Sequence, residues 1–99
     1  MLDFEISNLD LVPRRTINHY AEHPNYIEVI QPTTSNVVFL TNYHSLIWKH
    51  FELVDWNSLR EFIESFSEKN SKVPEKEAIK LVQNLIDLGL IELVNKEGW

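Results

Sequence analysis

Cysteine is missing from all 99 residues. This excludes disulfides, thiolate nucleophiles and any zinc or iron–sulfur centre held by cysteines of this chain alone. Glycine is nearly missing as well, with two residues beside four prolines. That balance excludes a collagenous or linker-like chain, and there is no glycine-rich phosphate loop. Basic charge is scarce: nine Lys and Arg stand against fifteen Asp and Glu, for a net charge of −6. No basic cluster is larger than Arg14-Arg15. Phosphate neutralisation supplies most non-specific affinity for nucleic acid, so this balance argues against DNA as the main partner. Long hydrophobic runs are lacking too; the longest falls far short of the roughly 20 residues a membrane span needs. The start Met1-Leu2-Asp3-Phe4-Glu5 has no basic segment followed by an apolar stretch, so no signal peptide is read there. A cytoplasmic location away from the membrane is the resulting expectation.

What remains is an ordinary globular composition, 43 % hydrophobic and 24 % charged, in a chain long enough for one domain. Its two halves differ in periodicity. From Arg14 to Leu40 apolar residues alternate as in strands; from Asn42 to Leu90 they recur at helical spacing. Strands are expected at Arg15–Tyr20, Tyr26–Ile30 and Val37–Leu40. The turn residues of 21–25 and 32–36 join them into an antiparallel meander. A first helix follows Thr41 or Asn42, with Leu46, Ile47, His50 and Phe51 on one face. A second is expected with Asp55 as its N-cap, carrying Leu59, Phe62, Ile63 and Phe66. Pro74 opens a third, whose stripe Ala78, Leu81, Val82, Leu85 and Leu88 ends at Gly89. Leu90–Val94 reads as a last strand or an extended tail. The layout is α+β, a three-stranded antiparallel sheet followed by three helices, compatible with a winged helix-turn-helix architecture. Residues 1–13 are taken as an N-terminal arm stopped by Pro13, 14–94 as the domain and 95–99 as a tail.

No motif points to catalysis. His19 and His23 have a spacing that suits a metal only on a helix, and their stretch reads as strand and turn. Glu75, Glu77, Asp87 and Glu92 read as solvated and helix-end charges rather than an acid–base pair. No nucleophile elbow is present, and Trp48, Trp56 and Trp99 are not spaced as a base-stacking platform. The chain is therefore expected to be non-catalytic and to need no cofactor or metal.

Apolar surface is in excess at two places. Ile79 and Ile86 widen the apolar arc of the third helix beyond the roughly 100° a surface helix needs. Val37-Val38-Phe39-Leu40 is a run of four apolar residues in a strand that, as the last of the meander, is an edge without protective charge or proline. Together they suggest a groove that accepts a guest peptide as an added strand. Ladder hydrogen bonds at roughly 0.5–1.5 kcal/mol each fall short of the roughly 8 kcal/mol of micromolar affinity, so apolar anchors must supply the rest. Val38, Leu40, Ile79 and Ile86 are expected to hold them. Two other readings stay open: that Ile79 and Ile86 pack on the N-terminal arm or the C-terminal segment, and that the edge pairs with a second copy of the chain.

Thr41-Asn42-Tyr43-His44-Ser45-Leu46-Ile47-Trp48, with Asn42, Ile47 and Trp48 matching, resembles the helix-opening motif of the PqqD-like family. Asp55-Trp56-Asn57-Ser58-Leu59 and the stretch from Glu77 to Ile91, ending Leu88-Gly89-Leu90-Ile91, are similar to that family's second and third helices. The resemblance spans residues 14–94. It departs at Thr41, where a Leu is usual, and at Glu52-Leu53-Val54, where Asp-Gly is common. It implies recognition of the leader of a ribosomally made precursor peptide, delivered to a separate protease, cyclase or radical enzyme. By the same resemblance, Val37, Val38, Phe39 and Leu40 pair with the leader backbone, and Ile79, Gln83 and Ile86 line the opposite wall. Lys76 and Lys80 attract an acidic leader. The expected state is a monomer or weak homodimer. The rival reading is a winged-helix regulator using its third helix on DNA, for which Glu75, Glu77 and Asp87 on that helix are unfavourable.

Overall fold

The alternation in Tyr26-Ile27-Glu28-Val29-Ile30 places Ile27 and Val29 on one face and Tyr26, Glu28 and Ile30 on the other. The former pair is buried and Ile30 is exposed. A computed structural model describes residues 9–16, 19–32, 34–53 and 55–95. These form β1 (Val12–Arg15), β2 (Tyr20–Glu22), β3 (Tyr26–Ile30), β4 (Val37–Thr41), α1 (Asn42–His50), α2 (Leu59–Lys69), α3 (Glu75–Asp87) and β5 (Ile91–Val94). The α+β layout holds: a meander β2-β3-β4 precedes three helices. A second, two-stranded sheet joins β1 to β5 antiparallel, with Val12 opposite Val94 and Arg15 opposite Ile91.

That second sheet changes two expectations. Pro13 does not stop an arm; it sits buried inside β1, an edge strand, where its missing N–H breaks no ladder. The division after residue 13 therefore falls inside a strand, while residues 1–8 and 96–99 of the expected arm and tail lie outside the described residues. The expected strand at Arg15–Tyr20 is replaced by β1 and β2, and the turn narrows to His23, Pro24 and Asn25. Arg15 ties the two sheets together. Its guanidinium lies 5.1 Å from the Tyr20 ring centre and 5.2 Å from that of Trp48, and 3.6 Å from the Glu52 carboxylate. The Tyr20 hydroxyl donates to the same carboxylate, and this bond, with burial, raises the phenol's pKa.

The chain turns from β4 into α1 at Asn42, whose φ of 51° lies in the left-handed region that asparagine tolerates better than most residues. The motif asparagine is thus a hinge of the backbone. Helix α2 is capped by Ser58, not Asp55: the Ser58 hydroxyl accepts from the Glu61 N–H at 3.2 Å. Pro74 caps α3 rather than entering its first turn. At the far end Gly89, with φ 76°, donates to Ile86 O while the Leu90 N–H donates to Leu85 O, both at 2.9 Å. This double closure buries Leu90 and sends the chain into β5.

The core gathers Ile27, Val29 and Leu40 from the sheet with Ile47, Trp48, Phe62, Phe66, Val82 and Leu85 from the helices. His50 lies within it, stacked on Trp56 at 4.9 Å and met edge-on by Phe62 and Phe66. Burial, reinforced by Lys69, lowers its pKa from 6.5 to about 4. The unfolded chain therefore takes up a proton at this site between pH 6.5 and 4 while the folded chain does not. The stabilisation is complete above pH 6.5 and is lost as pH falls toward 4, at a cost of up to roughly 3 kcal/mol. Urea melts at pH 7 and pH 4.5 should show this loss, and His50→Phe should reduce the pH dependence over that window; an unchanged profile in the variant removes His50 as its source.

Candidate functional site

Among the described residues the last strand of the meander leaves one edge open. Gln31 N–H donates to Asn36 O at 2.8 Å, which makes that pair a hydrogen-bonded one. Counting along the register, Val29↔Val38 and Ile27↔Leu40 are the next such pairs, and Ile30↔Val37 and Glu28↔Phe39 are not. Val38 and Leu40 therefore spend their backbone groups on β3. The N–H and C=O of Val37 and Phe39 point away from the sheet, and no backbone bond from a neighbouring described element reaches them. The edge from Val37 to Thr41 contains no charge and no proline.

Side chains alternate on the same strand. Leu40 is 3 % exposed and belongs to the core, and Val38 is half-buried against it. Val37 and Phe39 face outward, 49 % and 60 % exposed. Leu40 is accordingly no free anchor for a guest, a correction to the sequence reading. The run of four apolar residues did not show which of them turned inward.

Helix α3 approaches this end of the sheet along one flank. Asn84 Nδ2 lies 3.3 Å from His44 Nε2, at the start of α1, and Gln31 Nε2 donates to Leu88 O at 2.9 Å, beside the β3–β4 turn. The Asn84 amide nitrogen only donates, so His44 Nε2 is the acceptor of this pair, and burial lowers the His44 pKa. Tyr43, Glu77 and Leu81 meet around a small hollow of about 130 Å³ with Lys72 and Val73. The flank of α3 turned toward the end of β4 thus carries Glu77, Leu81 and Asn84. Ile79, Gln83 and Ile86 lie roughly 100–160° around the helix from Asn84. Ile79 and Ile86 pack against the core, and Gln83 is buried with its amide donating to Asp87 at 2.8 Å. The structure does not bring these three to the wall expected of them. Lys76 and Lys80 are exposed, and Lys80 sits 3.6 Å from Glu77. Helical periodicity finds the stripe of α3 but not which shoulder meets the sheet; the contacts of His44 and Tyr43 decide that.

A wider hollow of about 570 Å³ lies between the β2–β3 turn and the outer face of α1, lined among others by His23, Tyr26, Tyr43, Leu46 and Lys49. Among the described residues no group of three or more His, Asp or Glu is placed to hold a metal, and no helix is long and apolar enough to cross a membrane. Glu92 is engaged with Arg14, Glu77 with Lys80, and Asp87 with Gln83. Comparison with family models, with curated proteins and with solved structures finds no match to the chain.

Proposed function

We propose that this chain is a non-catalytic, cytoplasmic recognition module that binds the leader of a ribosomally made precursor peptide. The leader joins β4 as an added strand and is passed to a separate modifying enzyme. The observation that carries this reading is the open edge: among the described residues Val37 and Phe39 present unpaired backbone groups, on a strand without the charge or proline that ordinarily protects an edge from pairing. The resemblance to PqqD-like proteins supports it from the sequence side. Guest residues opposite Val38 and Leu40 face inward, toward the side on which Leu81 and Asn84 approach. The α3 wall of the proposed site therefore consists of Leu81 and Asn84 with His44 beside them.

The test is a fluorescence-anisotropy titration of the chain into labelled leader segments of ribosomal precursor peptides, with duplex DNA as control. Saturable binding at roughly micromolar concentration, without comparable DNA binding, is expected. Salt-dependent DNA binding in the absence of peptide binding would replace this reading with the winged-helix regulator.

A further inference from the structure

Ordinary sheets turn a polar outer face to water, and Glu28 in β3 and Thr41 in β4 fit that rule. Toward the β3–β4 turn the outer face changes. Ile30, 56 % exposed, stands opposite Val37, and Phe39 follows on the same face, with Tyr26 meeting its ring edge-on at 5.5 Å. Phe39 is thus flanked by an aromatic partner on the β3 side and by nothing described on the open side. These side chains contribute no groove wall, because the groove lies on the opposite face of β4. Their apolar character is unexplained by the core and unexplained by inward recognition of a guest.

Resting on the strand-addition reading, we infer that the bound peptide is also read on its outward side: the guest residue opposite Phe39 is a bulky apolar one, packing across the strand on Phe39 and Val37. The register forces the neighbourhood. Phe39 offers its own N–H and C=O to the guest, so the residue opposite it sits in a hydrogen-bonded pair and projects onto the same outer face. The occupant is continuous with the edge that binds its backbone. Among the described residues the only carboxylate on this face, Glu28, lies on the far side of Phe39 and is held 3.3 Å from His23. A charged guest side chain therefore finds no opposite charge next to it, and an apolar one finds Phe39. The substrate class narrows to extended peptides with apolar residues at inward alternate positions and one more between them, facing out.

The experiment is selection of a displayed library of random twelve-residue peptides on the full chain and on Phe39→Thr. Threonine keeps strand propensity at an exposed position, so the fold is retained. Peptides enriched on the wild type are expected to carry the apolar outward residue, and to bind Phe39→Thr about fivefold more weakly. Peptides enriched on Phe39→Thr should lose that outward preference and keep the inward one. Identical preferences on both proteins, with affinities within twofold, overturn the inference while leaving strand addition intact. Failure to enrich any peptide overturns both. Light scattering of the peptide-free chain supplies the remaining outcome: a dimer that Phe39→Asp dissociates assigns the outer patch to a second copy and overturns the inference.

Discussion

Replacing Val37 by proline is expected to weaken peptide binding by roughly 10- to 2,000-fold while leaving the melting temperature within about 5 °C. The asymmetry follows from where the Val37 N–H points. It faces the open edge rather than β3, so its loss breaks no bond of the folded chain, and proline is tolerated at the first residue of an edge strand. A guest loses one ladder bond there, about 0.5–1.5 kcal/mol, and leaves its own carbonyl desolvated without a partner, about 1–3 kcal/mol. Charge is unchanged, so any electrostatic binding of DNA should persist. Anisotropy titration with circular dichroism on the same sample separates the terms. Unaltered affinity in a folded Val37→Pro chain sinks strand addition at β4.

Trp48→Ala is expected to destabilise the fold by about 3–5 kcal/mol, which for a domain of this size lowers the melting temperature by roughly 15 °C or more. Trp48 is completely buried, meets Tyr20 edge-on at 5.6 Å and lies under the Arg15 guanidinium. Its loss opens a cavity at the place where the two sheets and α1 meet. The indole N–H is buried without a described acceptor, so Trp48→Phe forfeits no hydrogen bond and should cost far less than the alanine. Thermal melts of the two variants check this. Similar midpoints for Trp48→Ala and the wild type would contradict the packing described. Trp48, one of the residues on which the resemblance rests, therefore acts through the fold and not by touching a peptide.

Periodicity made the helices and the central strand legible. Leu59, Phe62, Ile63 and Phe66 repeat over enough turns to define a face, and Gly89 followed by Leu90 announces a closure that the hydrogen bonds of Ile86 and Leu85 complete. The pairing of β1 with β5 was not legible, because its partners are separated by most of the chain and each offers only four residues. Ser58 with Glu61 was the better cap signal than Asp55, since it sits three residues before a glutamate and directly before the apolar run. At the site, the open apolar edge was visible in Val37-Val38-Phe39-Leu40. The assignment of its faces required the register with β3, and the flank of α3 beside it required the contacts of Tyr43 and His44.

The clasp of β1 and β5 also has a mechanical side. Val12 and Val94 lie opposite each other at one end of that ladder, so tension applied through the two flanking segments loads a single rung at a time. Rungs broken in succession yield at far lower force than rungs sheared together. Once the Leu11 carbonyl is drawn off the Leu59 N–H, the molecule should part along this seam, lifting Arg15 from over Tyr20 and Trp48 before the meander β2-β3-β4 bears load.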